Sequence, residues 1–196
     1  LTNDEMELTR QADGTYEIDF DLMEETITDK TRIFILCNPH NPVGRVFRHD
    51  ELERMAEICL RNEILICSDE IHCDLLLDDN VHVPIGSLAP EVSAQTVTLM
   101  APSKTYNIAG LKCSVAIIQD EVLRRQFCER YGGLMPSVNI LGYTAALAAY
   151  RDGGPWLEAA LDYMEKNREI VRDFVAQELP EISMGEPEGT YLAWLD

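Results

Sequence analysis

The sequence predicts an α/β fold: a three-layer αβα large domain around a mostly parallel sheet, followed by the start of a small α+β C-terminal domain. Three observations carry this prediction. Four compact apolar runs rich in strand formers, RIFILC (32–37), EILICSDE (63–70), TVTLMA (96–101) and KCSVAII (112–118), alternate with helical or turn-rich stretches. The runs are apolar nearly throughout, as in a parallel sheet covered on both faces. Turn chemistry or chemically unusual residues follow three of them, NPHNPVG (38–44), SDEIH (68–72) and APSK (101–104), where an α/β sheet holds its ligand.

Taken in order, GTYEIDF (14–20) alternates apolar and polar residues like a half-buried strand, and DLMEETIT (21–28) reads as a short helix with acids in its first turn. In HDELERMAEICLRN (49–62), Leu52, Met55, Ala56 and Cys59 recur at helical spacing. Past residue 119 the pattern turns helical: DEVLRRQFCERYG, SVNILGYTAALAAYRDG, and a long PWLEAALDYMEKNREIVRDFVAQEL with Pro155 at its start, where proline is tolerated. That last helix is long enough to bridge two domains, so the expected division is 1–154 for the large domain and 155–196 for the bridging helix and the opening strands of a smaller one. The chain begins at LTNDEME without methionine and stops inside the strand-like GTYLAWLD, so a fragment of a longer chain is expected.

Composition narrows the partners. The 196 residues are 46% apolar, enough for a real core. A net charge of −19 argues against nucleic acid and anionic membrane, both polyanions that call for clustered Lys and Arg. No apolar run approaches a membrane span. The six cysteines form no CxxC or zinc-type pairing and several lie in apolar runs, which predicts reduced buried thiols, no metal, and a reducing cytoplasm.

Lys104 is flanked by small, polar and apolar residues and follows a buried strand. A lysine in a loop is usually solvated. Burial instead favours the neutral amine, which can attack a carbonyl to form a Schiff base, the way pyridoxal phosphate is held. That cofactor also needs an acid at its pyridine nitrogen. Asp69, at the end of EILICSD, is a candidate, and capping of a following helix is an equal alternative. Asn41 in HNPVG is a turn residue whose amide could also donate to the cofactor's phenolic oxygen. His72, three residues past Asp69, could reach the same oxygen or lie at the ring edge. His40, His49 and His82 carry only structural readings.

Together, NPHNPVG, SDEIH and SKTYNIAGLK resemble the fold-type I pyridoxal phosphate enzymes of the class I/II aminotransferase family. SDEIHCDL and APSKTYNIAGLK are most similar to its cystathionine β-lyase-type carbon–sulfur lyases. The resemblance covers residues 14 to 196, with Asp69 28 positions after Asn41 and Lys104 35 further on. It implies that Lys104 is the Schiff-base lysine, Asp69 the pyridinium partner, Asn41 the donor to the ring oxygen and Ser103 a phosphate ligand. Aminotransferases commonly have a tyrosine at the His72 position, and histidine there resembles the lyase branch. Many have a phosphate-binding arginine where Lys112 stands. Lysine keeps the charge but loses the bidentate fork, so phosphate contact and plain surface charge both stay open for Lys112.

The activity implied is β-elimination of a sulfur amino acid to thiol, pyruvate and ammonia. The alternative is an aminotransferase acting between an amino acid and a 2-oxo acid, and a second is a non-catalytic interaction module that keeps the pocket. The resemblance also implies a homodimer and a small amino-acid substrate. The family's phosphate-binding glycine loop, ring-stacking aromatic and substrate-carboxylate arginine match nothing between Leu1 and Asp196. The 196 residues alone are therefore expected to be inactive.

Overall fold

A computed structural model describes residues 2–132 and 137–196. A two-residue antiparallel pair, β1 (Thr9–Arg10) and β2 (Tyr16–Glu17), precedes helix α1 (Phe20–Thr26), whose first turn is closed by Asp19 Oδ1 accepting from the Asp21 and Leu22 amides at 3.0 Å each. Strand β3 (Ile33–Cys37), helix α2 (His49–Arg61), strand β4 (Leu65–Asp69), the short helix α3 (Pro90–Ala94) and strand β5 (Thr96–Met100) follow. Then come the one-turn helix α4 (Pro102–Thr105), strand β6 (Val115–Ile118), and helices α5 (Glu121–Tyr131), α6 (Ile140–Asp152) and α7 (Gly154–Glu178).

The four longer strands form one sheet in the order β3-β4-β5-β6. The first two pairings are parallel and the last antiparallel, so the sheet is mixed but mostly parallel, as expected. Parallel pairing aligns Cys37 with Asp69 and Asp69 with Leu99, which gathers the carboxyl ends of β3, β4 and β5 along one edge.

The core lies on one face. Leu36 of β3 and Ile66 of β4 pack with Leu52, Met55, Ala56 and Cys59 of α2 and Val92 of α3, all 4% exposed or less. Full burial of one such aliphatic side chain stabilises by about 1.5–3 kcal/mol. On the alternate positions of β3, Ile33 and Ile35 are 55% and 70% exposed, while α2 and α3 both gather on the Leu36 side.

Segment 182–196 forms isolated bridges, Leu76 to Gly189 and Met184 to Leu195, where opening strands are expected from its sequence. It folds back over the turns that follow β3 and β4. Gly44 accepts from the Glu188 and Gly189 amides at 2.9 Å each, and a Cβ on Gly44 (φ +74°) would sit 2.4 Å from Pro187 Cβ. Arg45, itself buried, grips Glu51 of α2 at 2.7 and 2.8 Å and Glu188 at 3.0 Å, and donates to the Tyr16 carbonyl at 2.9 Å. Arg168 of α7 likewise holds Asp78 at 2.7 and 2.8 Å and the Pro187 carbonyl at 3.1 Å.

Candidate active site

Three loops meet at the carboxyl edge of the sheet. Asp69 is the last residue of β4, so strand pairing on both sides fixes its backbone: its carbonyl accepts from the Asn38 amide at 3.0 Å, and the next amide, Glu70, donates to Leu99 at 2.9 Å. Its Oδ1 accepts from the Ile71 amide at 3.2 Å, closing a turn of the Asx kind and not capping a helix. Beneath it, on the core side, Glu70 is fully buried between Ser68 Oγ and His82 Nε2, both 2.9 Å away. This Ser68–Glu70 link brackets Asp69.

The turn after β4 carries His72 inward, to 2% exposure. Its imidazole is held below the usual histidine range first by burial and then by the positive charge of Lys104, while the Asp69 carboxylate pulls the other way. Lys104 sits half-buried in α4, which starts at Pro102 directly after β5, and Ser103 precedes it in the same turn. Thr105, the next residue, anchors this turn to the neighbouring loop by donating to Asp74 at 3.0 Å.

Asn41 is exposed in the turn after β3, and its backbone N–H donates to Cys37 Sγ at 3.5 Å. Cys37 pairs in register with Asp69, so the Asn41 turn and the Asp69 strand end are neighbours; burial pushes the Cys37 thiol up, against the Asn41 bond that lowers it. Lys112 is placed differently. It is exposed, ends a short 3-10 turn in a left-handed conformation (φ 50°, ψ 49°), and no hydrogen bond or ion pair among the described residues joins it to the other candidates.

Four side-chain atoms on the loops after β3 and β4, Asn38 Nδ2, His40 Nδ1, His72 Nδ1 and His82 Nδ1, are buried without a hydrogen-bond partner among the described residues. Such orphans are costly in a native fold and fit a bound polar group. Sequence reasoning missed two features here: Glu70, whose burial is not signalled by the charged run SDE, and Tyr191, whose ring edge meets His72 with centroids 5.7 Å apart.

The class I and II aminotransferase family model matches residues 5–196. Over 190 residues the chain is 43% identical to cystathionine beta-lyase PatB of Bacillus subtilis, covering 95% of the chain and 49% of that protein. It is 35% identical to the protein MalY of Escherichia coli, with 96% and 48% covered. The structure of cystalysin from Treponema denticola, which contains a pyridoxal 5'-phosphate cofactor, superposes with a TM-score of 0.94 at 39% identity, covering 98% of the chain and 49% of cystalysin. The chain spans about half the length of the curated relatives it matches.

Proposed function

The chain belongs to the class I and II aminotransferase family, and we propose that the whole protein is a pyridoxal phosphate-dependent carbon–sulfur lyase acting on a small sulfur amino acid such as cystathionine. What supports this reading is one observation: Asp69 ends β4 and Lys104 lies in the one-turn helix that follows the neighbouring, parallel β5, so both stand at the same edge of the sheet. The residues fit the cofactor. An amine, a carboxylate, an amide and an imidazole are carried by the loops at one edge of the sheet, and the His72 Nδ1 is buried without a partner among the described residues.

In this reading Lys104 Nζ would hold the cofactor, Asp69 would pair with its ring nitrogen, and Asn41 and His72 would serve its ring oxygen. Ser103 contributes its hydroxyl to the phosphate, with Lys112 as a further positive charge. When bound, pyridoxal phosphate supplies an electron sink for the substrate's α-carbanion. Lys104 Nζ, once free, takes the α-proton as general base. The Asp69 carboxylate is fixed by strand pairing and by its own turn, so it spends no reorganisation when charge develops. Loss of the α-proton and of the β-thiolate leaves pyruvate and ammonia after hydrolysis. Residues 1–154 carry the cofactor, residues 155–196 open a second domain, and the protein works as a cytoplasmic homodimer. The six free cysteines fit a reducing compartment, and no described helix is long and apolar enough to cross a membrane.

The whole protein incubated with L-cystathionine is expected to release thiol and pyruvate with no 2-oxo acid present. Strict dependence on a 2-oxo acid acceptor would replace the lyase with a transaminase. Borohydride is expected to fix the cofactor on Lys104, and Lys104→Ala to lower turnover by about a hundredfold or more. Label on a different residue would remove the central assignment.

A further inference from the structure

His72 is held by packing. Its Nδ1 is buried with no hydrogen-bond partner among the described residues, so no bond at that atom sets the ring's tautomer or orientation. What meets the ring is Tyr191, edge-on, at 5.7 Å between centroids and 82° between planes. Tyr191 belongs to the far end of the chain, and its own position is forced by its neighbour. Thr190 is 1% exposed and has φ +68°. A β-branched residue in the left-handed region is an outlier that persists only when its surroundings over-determine it.

Those surroundings are the loop that carries His72. The Thr190 amide donates to the Leu75 carbonyl at 2.8 Å, and Leu77 donates to Glu188 at 2.9 Å. Within the loop, Leu75 donates to His72 at 2.9 Å. Thr190 Oγ1 accepts from the Leu192 amide at 3.2 Å, and a Cβ on Gly189 would lie 2.9 Å from the Leu75 carbonyl oxygen. Tail and loop are thus bonded into one body on either side of the strained residue. Tyr191 itself remains 46% exposed, and its ring stands nearly perpendicular to that of His72.

We propose that Tyr191 is a positioning residue of the site, pressed by the strained Thr190 turn against His72 so that the imidazole stays dry and singly oriented beside Lys104 and Asp69. The consequence for turnover rests on the function proposed above, whereas the effect on the imidazole does not. The charged groups acting on that imidazole are Lys104 and Asp69, and the tail presents it with an uncharged aromatic edge. Removing the edge admits water, which favours the imidazolium.

The test is an NMR titration of His72 in the whole protein without cofactor, comparing wild type, Tyr191→Phe, Tyr191→Leu and Tyr191→Ala, each confirmed folded by its thermal transition. Wild type and Tyr191→Phe are expected to titrate below the ordinary value of about 6.5, and Tyr191→Ala to move up toward it. Tyr191→Leu, which keeps apolar bulk without a flat ring edge, is expected to fall between. In the loaded enzyme Tyr191→Ala is expected to lower kcat by roughly ten- to a hundredfold with a small change in KM, the cost of a misplaced group, and Tyr191→Phe to restore it. An unchanged His72 midpoint in Tyr191→Ala would overturn the proposal. Failure of borohydride to label Lys104 would overturn the functional reading instead, without touching the cofactor-free titration.

Discussion

Thr190 keeps an unfavourable backbone because three hydrogen bonds and a glycine hem it in, at a cost of order 1–3 kcal/mol. Thr190→Asn retains a side-chain acceptor and suits the left-handed region. It is expected to raise stability to urea by up to about 1 kcal/mol, while Thr190→Val, which keeps the branch and loses the acceptor, is expected to cost about 1 kcal/mol. Gly44→Ala runs the other way: its φ of +74° and the 2.4 Å approach to Pro187 predict a loss of more than about 1 kcal/mol, read as a lower urea midpoint. None of this shows in the string GTY, since the strain arises only when the tail meets the Leu75 loop. The places of Lys104 and Asp69 in the fold were legible for the opposite reason: Asp69 ends one recognisable strand and Lys104 lies in the turn after another, so local pattern alone puts both at the carboxyl edge of the sheet. Where Lys112 points relative to that edge depends on a left-handed turn that the sequence does not announce.

Helix α2 is the element whose sequence says most about its packing. Leu52, Met55, Ala56 and Cys59 recur at helical spacing and all are 2% exposed or less. Its other buried residue of consequence, Glu51, breaks the apolar pattern and is explained only by Arg45, which grips both carboxylate oxygens, and by the Arg48 amide at 2.7 Å. Removing one partner of a buried pair leaves the other charge stranded, so Glu51→Ala is expected to cost about 3–5 kcal/mol. Arg45→Met together with Glu51→Leu is expected to recover a large part of that loss in a double-mutant cycle. Equal losses in the single and double variants would mean that Glu51 acts through the helix start alone. Strand ends were read less well than helix faces. KCSVAII shortens to Val115–Ile118 because its partner β5 ends at Met100, opposite Val115, and GTYEIDF pairs only at Tyr16–Glu17 because its partner strand is two residues long.

Across the whole molecule, burial and charge set how stability should vary with pH. His72 and His40 are both held below the ordinary histidine value by burial, so the unfolded chain binds their protons more readily than the folded one. Their contribution is complete above about pH 6.5 and is lost as pH falls from there through the folded values. Asp78 is held down by its hydrogen bonds from Arg168, so its contribution persists lower and is lost only as pH falls below about 3.9. At the other end, burial pushes the Tyr150 hydroxyl up to about 12, so stability should fall again as pH climbs past about 10, where the unfolded tyrosine ionises first. The net charge of −19 works against the acid limb, because protonation relieves self-repulsion and by itself would stabilise the fold. Salt separates the two effects, since about 1 M salt shortens the screening length to roughly 3 Å and leaves buried groups little affected. Urea midpoints measured from pH 8 to 4 in about 1 M salt are therefore expected to fall in a step beginning near pH 6.5. His72→Gln, which removes one of the two titrating rings, is expected to shrink that step. Midpoints that stay level or rise between pH 7 and 5 in high salt would mean that these histidines are not kept neutral by burial.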